Sequence, residues 1–494
     1  MERLIICQDW AIGILFFLFT MQAGYAAERN VILIIGDGMD DHQITIARNY
    51  LVGPRSKLTL DTMPMRGVVQ VLTVSENDPD KPVYVADSAN SASAMATGIV
   101  TSRGRIATSA HLDEDATTIV ELAHSAGYRT GIVTSASVTD ATPAAFVAHI
   151  NIRGCENPDT MQNFAVMGDL VIDCSQDLKA NGGLGSIAEQ IAESSVDVIL
   201  GGGEMHFLVN REAGSGSLFK LAEQSGFEVL GNSSDLDKLD FSPNGKRLLG
   251  VFAEKELPVR LRGENDRSAE APDPSLLNGV YWALGSVEFP EPMLCENNPA
   301  FEGVPSLKKM TDVALQKLST NNIHGFFLMV ESASIDKQSH ARKACGSIGE
   351  VQQLNEVLDS ALNFAAEHPD TLIIVTADHS QAAQLVPDES LFTAIGVPVF
   401  TPGLIVRIQT PQKSILAVNY ATNSFPAEEH TGANVPLFSN AVGKSLIKSY
   451  VTQPELFFII RDYLGLGPGS VPSSDGSPIP APLQSEPMPT AATR

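Results

Sequence analysis

The chain has 494 residues, of which 44% are hydrophobic and 18% are charged, a balance typical of a folded globular protein and not of a disordered one. Its formal net charge of −25 argues against nucleic-acid binding, because that function needs a positive surface. The length is enough for one large α/β domain or for two or three smaller ones.

The first 27 residues are predicted to be a secretory signal peptide. Arg3 supplies a positive charge, residues 11–20 form a short apolar core, and the small residues Ala23, Gly24, Ala26 and Ala27 offer a cleavage site. An uncleaved membrane anchor is the alternative, but the apolar run is shorter than the roughly 20 residues that span a bilayer. No later segment is long and apolar enough to cross a membrane. We therefore expect an exported mature protein, periplasmic or extracellular, without a membrane span.

Continuous apolar runs rich in β-branched residues are predicted to form buried strands, and they lie at residues 31–35, 130–134, 196–200, 325–330 and 371–376. Segments with helical spacing of apolar residues lie between them, at 117–126 and 349–367. This alternation predicts an α/β fold, with a mostly parallel central sheet flanked by helices on both faces. Ligands of such sheets bind beyond the carboxyl ends of the strands, so polar residues directly after these runs are the candidates for chemistry.

Two segments differ in composition from the main domain, which is predicted to cover residues 28–465. Residues 204–292 are richer in polar residues, proline and glycine and carry no chemical motif, so they are predicted to form a peripheral insertion or cap. Residues 466–494 are rich in proline and serine and nearly free of large apolar residues. They are predicted to form a flexible tail.

Short segments at the predicted strand ends concentrate acidic, histidine and hydroxyl residues, at 35–39, 87–92, 139–143, 330–340 and 376–379, with 429–432 following later. Ser88 stands where a helix is predicted to begin. Such a serine is usually only a helix cap, but this position also gives a nucleophilic oxygen access to free backbone N–H groups that favour phosphate. Asp336 and His340 are four residues apart, so one helical turn places both on the same side.

Each of these segments is a weak signal alone, since an Asp between glycines is commonly a turn residue and an Asp-His pair is commonly a surface pair. Together they provide carboxylates, imidazoles and hydroxyls at one edge of the predicted sheet. Mixed histidine and aspartate ligands suit zinc, whereas an all-oxygen set suits magnesium. The sequence therefore predicts a site with more than one metal.

In this order the segments resemble the signature of the alkaline phosphatase family in its bacterial periplasmic form. The resemblance extends from about Val31 to Leu464. Asp87-Ser88-Ala89 resembles the nucleophile motif of the family, and residues 333–338 followed by His340 are nearly diagnostic of it. The resemblance implies hydrolysis of phosphate monoesters, with broad specificity, through a phosphoserine formed on Ser88. It also implies a homodimer.

The resemblance further implies two Zn²⁺ and one Mg²⁺ per subunit. One zinc ion would be held by Asp336, His340 and His430. The second would be held by Asp37, Asp378 and His379, with Ser88 able to join them. Magnesium would be held by Asp37, Thr142 and Glu331, with Asp140 contacting it through water.

Two basic residues are implied to contact the substrate. Arg153 would grip two phosphate oxygens through its planar fork, which a lysine could not copy. Lys337 would lie beside the phosphate, and the combination of Asp140 with Lys337 resembles the enterobacterial form that takes magnesium instead of a third zinc.

Four cysteines remain once the predicted signal peptide, with Cys7, is removed: Cys155, Cys174, Cys295 and Cys345. An even number in an exported chain favours disulfides, and the simplest of the three possible connectivities is Cys155–Cys174 with Cys295–Cys345. A zinc site is the alternative, but the spacing lacks the close C-x-x-C pairs of such sites. The resemblance also places two disulfides at these positions.

Three positions depart from the family pattern. Gln381 stands where a histidine is common behind the zinc ligands, and it can still donate a hydrogen bond to a carboxylate but cannot change charge with pH. Asp40 replaces a usual glycine, and Met95 replaces a common aromatic residue. No predicted ligand is lost, so we expect these changes to affect rate and metal affinity and not the reaction class.

Two other functions remain open from the sequence. A phosphodiesterase or sulfatase of the same superfamily could share the zinc ligands, but the former usually has a threonine nucleophile and the latter a Cys/Ser-x-Pro-x-Arg motif. A metal- or phosphate-binding protein without turnover would be expected to lack the nucleophile or a ligand, and neither is missing here.

Overall fold

The computed structural model describes residues 28–162, 164–167, 170–242 and 245–467. The predicted signal peptide and all but two residues of the predicted tail lie outside the described residues. Within those ranges, no helix combines the length and the apolar character that a membrane crossing requires.

The strands are β1 (Asn30–Gly36), β2 (Met65–Gln70), β3 (Thr73–Ser75), β4 (Asp78–Val83), β5 (Arg129–Ser137), β6 (Phe164–Met167), β7 (Leu170–Ile172), β8 (Val198–Gly202), β9 (Phe227–Leu230), β10 (Arg247–Val251), β11 (Leu261–Gly263), β12 (Asp273–Pro274), β13 (Val287–Glu288), β14 (Cys295–Asn297), β15 (Phe326–Ser332), β16 (Thr371–Ala377), β17 (Gln384–Val386), β18 (Leu404–Gln409), β19 (Ile415–Tyr420), β20 (Val435–Ser439) and β21 (Tyr450–Thr452).

The helices are α1 (Asp41–Leu51), α2 (Ser88–Thr97), α3 (Ile119–Ser125), α4 (Ala141–Ala144), α5 (Ile187–Glu193), α6 (Glu204–Leu208), α7 (Leu218–Gln224), α8 (Leu276–Val280), α9 (Leu307–Ser319), α10 (Ser334–His340), α11 (Ala344–Glu367), α12 (Ala441–Leu446) and α13 (Gln453–Tyr463).

Ten strands form the central sheet, in the order β21–β2–β20–β16–β1–β15–β5–β8–β10–β9. Within it, β20 runs antiparallel to both of its neighbours, and the other neighbouring pairs are parallel. Every residue of β1, β15 and β16 is buried, so both faces of the sheet centre are covered. The predicted α/β fold with a mostly parallel sheet is confirmed.

All five runs predicted to be buried strands lie in this sheet, as β1, β5, β8, β15 and β16. The two predicted helical segments are α3 and α11. Continuous apolar runs were informative here because strands buried on both faces do not alternate between apolar and polar residues.

The segment predicted to be a peripheral insertion, 204–292, lies only partly outside the central sheet. Strands β9 and β10 form one edge of the central sheet, next to β8. The later part contains α8 and the two-stranded sheet of β12 with β13, while β11 pairs with β14. The domain boundaries themselves stay a prediction.

Two disulfides join Cys155 to Cys174 and Cys295 to Cys345, with Cα–Cα distances of 6.4 Å and 5.4 Å. The simplest predicted connectivity is therefore confirmed, and the alternative of a cysteine zinc site is wrong. The first disulfide follows Arg153 by two residues, and the second ties β14 to the beginning of α11.

Candidate active site

Three neighbouring strands bring carboxylates together at one edge of the sheet. Asp37 directly follows β1, and Asp378 directly follows β16. Glu331 is the second-to-last residue of β15. The parallel register places Ile35 beside both Glu331 and Thr376. Because these strands end at the same level, their polar side chains converge on one region, as the sequence predicted for the carboxyl ends of a parallel sheet.

Ser88 is the first residue of α2, and its side chain faces this cluster. Asp87 caps the helix by accepting a hydrogen bond from the backbone N–H of Asn90 at 3.1 Å. Ser88 is buried, and its Oγ lies 3.2 Å from Nε2 of His379 and 3.5 Å from Oδ1 of Asp37. The helix start thus holds a hydroxyl against two of the predicted zinc ligands.

The predicted ligands of the first zinc ion lie in mutual contact. Nε2 of His340 is 3.1 Å from Oδ2 of Asp336 and 3.0 Å from Nε2 of His430. Nε2 of His430 is also 3.4 Å from Oδ1 of Asp336. Asp336, His430 and His379 offer ligand atoms that lie within 4.8 Å of one another.

The predicted ligands of the second zinc ion form an adjoining group. Asp37, Asp378 and His379 offer ligand atoms within 4.8 Å of one another. Nε2 of His379 lies 3.3 Å from Oδ1 of Asp37 and 3.3 Å from Oδ2 of Asp378. Because His379 also lies within reach of Asp336 and His430, two predicted ligands of the first zinc ion, the two clusters adjoin and are not separate sites.

In each of these three histidines, Nδ1 lies against a backbone carbonyl. Nδ1 of His340 contacts the carbonyl of Glu428, that of His430 contacts Ala86, and that of His379 contacts Ser380. A carbonyl accepts a hydrogen bond from Nδ1–H, so that tautomer leaves the lone pair of Nε2 directed into the cluster. This arrangement is the usual one for metal-binding histidines.

The predicted magnesium ligands lie beside the second group. Oε2 of Glu331 accepts a hydrogen bond from Oγ1 of Thr134, and burial raises the pKa of Glu331 to about 8. Thr142 is buried, and its hydroxyl lies beside the carboxylate of Glu331. Oδ2 of Asp378 is buried, and no hydrogen bond to it is found among the described residues.

A cluster of this composition fits bound cations. Burial, with added repulsion from Asp378 and Asp336, raises the pKa of Asp37 well above its usual range. Buried carboxylates that repel one another are unfavourable unless positive charge compensates them. Oδ2 of Asp378 has no hydrogen bond among the described residues, so its lone pairs are free to bind a cation.

Arg153 and Lys337 lie on the open side of the cluster and share Asp140. Nη2 of Arg153 is 2.7 Å from Oδ1 of Asp140, and its Nη1 is 3.5 Å from Oδ2 of Asp87. Nζ of Lys337 donates to the other oxygen of Asp140. Burial opposes ionisation of Asp140, but Lys337 and Arg153 outweigh it and hold the pKa of that carboxyl well below its usual value.

The positions that depart from the family pattern have defined contacts. Nε2 of Gln381 donates to Oδ1 of Asp336, which is the hydrogen bond that the sequence allowed for it. Asp40 caps α1 through Gln43 at 2.9 Å and accepts a hydrogen bond from Ser380 at 2.7 Å. Met95 is buried in α2.

The family model for alkaline phosphatases matches residues 28–421 of the chain. The chain belongs to the alkaline phosphatase family. It is accordingly a metal-dependent phosphomonoesterase, of the class EC 3.1.3.1, that acts on phosphate monoesters.

Curated members of the family resemble the chain over most of its length. Alkaline phosphatase of Escherichia coli is 35% identical over 442 residues, which are 89% of this chain and 86% of that protein. Streptomycin-6-phosphate phosphatase of Streptomyces griseus is 36% identical over 458 residues, which are 90% of this chain and 93% of that protein.

Alkaline phosphatase from the Antarctic bacterium TAB5 has the same fold, with a TM-score of 0.62 at 21% identity and coverage of 90% of this chain and 100% of that one. A histidine-to-aspartate variant of the TAB5 enzyme was solved with magnesium bound in a site called M3, and it has a TM-score of 0.58 at 21% identity, covering 89% and 99% of the two chains.

Three features of the site were not assigned from the sequence. Asp87 caps α2 and also faces Arg153, and the pattern of Asp followed three residues later by Asn at a helix start could have indicated the cap. The ion pair of Arg342 with Glu428 and the contact of Glu156 with His206 join distant segments. No local pattern indicates either one.

Proposed function

We propose that Ser88 is the nucleophile and that hydrolysis proceeds through a phosphoserine at this residue. The observation that carries the proposal is the position of its Oγ, at the start of α2 and within 3.5 Å of both His379 and Asp37. Ser88 attacks phosphorus in line with the leaving alcohol, and water then cleaves the phosphoserine and releases inorganic phosphate.

We assign two Zn²⁺ and one Mg²⁺ to the cluster. Asp336, His340 and His430 hold one zinc ion, Asp37, Asp378 and His379 hold the second, and Asp37, Glu331 and Thr142 hold magnesium, with Asp140 beside it. When bound, these ions lower the pKa of the serine hydroxyl and of water and neutralise the charge that develops on the phosphoryl group. The donor types support the assignment, since imidazole suits zinc and an all-oxygen set suits magnesium.

Arg153 binds and orients the phosphoryl group. Its guanidinium is held by Asp140 and Asp87, and a third of its side chain is exposed toward solvent, where substrate enters. Two parallel N–H groups match two phosphate oxygens, and they stabilise the transition state, in which charge spreads over those oxygens. Lys337 adds positive charge beside the same position through Asp140.

The substrate range is broad, and the leaving group contributes little to recognition. The named contacts of the site address the phosphoryl group, because Ser88, Arg153 and the metal ligands all converge on it. The name of the Streptomyces griseus relative gives one sugar-linked phosphate ester as a substrate of that protein.

The mature protein is an exported homodimer. Two disulfides support export, since such bonds persist in oxidising compartments.

Exposed apolar side chains support the dimer. Helix α8, Trp282 and residues 391–395 form a surface that we call the α8 face. Six apolar residues on it are each more than half exposed: Leu276, Val280, Trp282, Leu391, Phe392 and Ile395. Apolar patches of this kind commonly mark protein interfaces.

The test is hydrolysis of p-nitrophenyl phosphate by the purified protein at about pH 8 to 10, where water and serine activated by zinc are ionised. Ser88→Ala should lose activity by at least about 10³-fold. Ser91→Ala is the matched control, because Ser91 is buried in the same helix and no hydrogen bond of its hydroxyl is found among the described residues. A chelator should abolish the activity, and zinc together with magnesium should restore it.

Phosphoserine is tested directly by mass spectrometry of the peptide that contains Ser88 after incubation with inorganic phosphate at acidic pH. A phosphoryl group on Ser88 is the expected result. Full activity of Ser88→Ala would overturn the assignment of the nucleophile, and restoration by zinc alone would overturn the magnesium assignment. Cleavage of a diester or a sulfate ester in preference to the monoester would overturn the substrate assignment.

A further inference from the structure

The loop that delivers His430 is an exposed segment without regular structure. It runs from the end of β19 to His430, and nearly all of its residues are at the surface. Glu428 differs from the rest of the loop because its side chain is fully buried. Exposed loops are ordinarily mobile, but this one must present a metal ligand and a carbonyl group at fixed positions. Something must therefore fix it.

Arg342 supplies the main contacts of this loop. Its guanidinium donates to the carboxylate of Glu428 at 2.6 Å and to the backbone carbonyls of Pro426 at 3.1 Å and Phe425 at 2.8 Å. Asn423 accepts further hydrogen bonds at 3.3 Å and 3.5 Å. The fixed fork of five N–H donors in arginine makes such a set possible, and lysine cannot reproduce it.

Glu428 connects this network to the cluster of histidines. Its carbonyl accepts from Nδ1 of His340, and its backbone N–H donates to the carbonyl of His340 at 3.0 Å. His430 follows two residues later. The second carboxylate oxygen of Glu428 accepts hydrogen bonds from Thr422, which closes the loop on itself.

The pair is unusual in two physical respects. The side chains of Arg342 and Glu428 are 7% and 0% exposed, so both charges lie away from water, and such pairs contribute little net stability relative to apolar residues. Arg342 also has a φ of 55°, a left-handed conformation that is unfavourable for any residue other than glycine. Features that are costly for stability concentrate at functional sites.

We propose that Arg342 and Glu428 are positioning residues for the zinc site formed by Asp336, His340 and His430. The ion pair fixes the loop, the carbonyl of Glu428 sets the tautomer and ring orientation of His340, and the same fixed loop places His430. This proposal rests on the proposed zinc ligands. Arg342 and Glu428 are not ligands themselves, but they determine the positions of the ligands His340 and His430.

The test measures zinc affinity by competition with a coloured chelator, together with the visible spectrum of the cobalt(II)-substituted protein. Arg342→Met and Glu428→Gln should each weaken the zinc site about 10- to 100-fold, which is the usual effect of losing a partner of a metal ligand. The cobalt spectrum should change, because its bands report the ligand geometry. Arg342→Lys should recover only part of the affinity, since it replaces the fork with a single ammonium group.

The double variant R342M/E428Q separates positioning from stability. It removes both buried charges, so its unfolding midpoint in urea should lie above those of the two single variants. The carbonyls of the loop still lack their donor, and zinc affinity should therefore stay low. Arg407→Met is the matched control, because Arg407 makes a similar two-pronged contact with Asp388 at 2.6 Å and 3.0 Å away from the cluster. It should leave zinc affinity unchanged.

The outcomes distinguish this inference from the zinc assignment itself. If His340→Ala binds zinc as tightly as the parent protein, the proposed ligand set is wrong. If His340→Ala loses zinc while Arg342→Met, Arg342→Lys and Glu428→Gln all keep the parent affinity and cobalt spectrum, the ligand set stands and the positioning role is overturned. Recovery of zinc affinity in the double variant would also overturn it, since charge balance alone would then suffice.

Discussion

Glu156 is the third residue after Arg153 and lies close to the phosphate-binding side of the cluster. Its Oε2 accepts a hydrogen bond from Thr139 and is 3.1 Å from Nε2 of His206. Burial, with repulsion from Asp140, raises the pKa of Glu156 to about 7. Burial lowers the pKa of His206 to about 4. Both groups are therefore neutral near pH 6 in the folded protein without metal.

The raised pKa predicts a pH-dependent stability. In the unfolded chain a glutamate titrates at about 4.3, so between about pH 4.3 and pH 7 the unfolded state loses this proton while the folded state keeps it. The contribution of Glu156 to the unfolding free energy should therefore fall over that interval and become constant above it. Glu156→Gln carries no such proton, so its stability relative to the parent should rise with pH by about 1 to 3 kcal/mol.

Urea unfolding of chelator-treated protein at about pH 5 and about pH 8 measures this difference. Removing metals first keeps the positive charge of bound ions from altering the titration of Glu156. Glu302→Gln is the control, because Glu302 is exposed, and its effect should be the same at both pH values. A difference between Glu156→Gln and the parent that is independent of pH would contradict the prediction.

Residues differ in how far the sequence could assign them. Asp37, Asp378 and Glu331 were candidates for chemistry because each stands at the end of an apolar run, and the parallel sheet brings them together, but only the family resemblance implied that they are metal ligands. Arg342 and Glu428 are 86 residues apart and meet only in the folded chain. Neither stands in a local pattern, so residue types and spacing could not indicate their contact.

At the scale of elements, the turn after β1 controls how closely the neighbouring segments approach the metal cluster. Gly38 has a φ of +68°, and its N–H donates to Oδ1 of Asp378 at 3.0 Å. A Cβ at this position would lie 2.8 Å from Cγ of Gln381 and 3.1 Å from Cβ of Asp336. Glycine is therefore required both by the backbone conformation and by the contact with α10.

We predict that Gly38→Ala lowers zinc affinity as well as stability. The left-handed conformation costs about 1 to 2 kcal/mol for alanine, and the added methyl group must displace the ligand Asp336 or its partner Gln381. Zinc affinity, measured by chelator competition, should fall by about 10-fold or more.

Gly53→Ala provides the matched control for this change. Gly53 has a φ of +78°, and its nearest neighbour is Nε2 of Gln412 at 3.0 Å, the far end of a flexible side chain. Its backbone cost should be similar, so urea unfolding should show a comparable loss. If Gly38→Ala and Gly53→Ala reduce zinc affinity equally, the close approach of the turn to α10 is not what sets the metal site.

The elements that the sequence predicted best are those buried on both faces. β1, β15 and β16 contain continuous apolar runs and are buried along their whole length, whereas their order in the sheet was not predicted. The antiparallel strand β20 and the edge strands β9 and β10 were not predicted. β20 contains Pro436, and β9 has only four residues, so neither has the length or the pattern that identifies a strand.

At the scale of the whole molecule, the net charge of −25 conflicts with an anionic substrate. The local field resolves the conflict, because Arg153 and Lys337 face the phosphate side and bound cations would offset the carboxylates. The same charge restricts which surfaces two copies can bring together, since like charges repel across an interface.

The α8 face meets that restriction. Residues 275–286 and 390–404 contain no charged residue, and Nδ2 of Asn278 donates to the carbonyl of Pro398, which joins the two segments. A membrane carrying anionic lipids would repel so acidic a protein. A second copy of the chain presents the same uncharged apolar face. Self-association therefore buries both faces without bringing like charges together.

We therefore predict that substitutions on the α8 face dissociate the dimer. Val280 and Leu391 are 85% and 87% exposed, so V280D/L391D should leave the fold of the subunit intact while placing charge in an apolar contact. Light scattering coupled to size exclusion should give a dimer for the parent and a monomer for the variant, with association weakened about 100-fold or more. Ile323→Asp, at a residue 66% exposed outside the α8 face, should remain dimeric. If V280D/L391D remains a dimer, the subunits contact each other through another surface. If the parent protein is a monomer and binds neutral lipid vesicles through Val280 and Leu391, the α8 face is a membrane-binding surface instead.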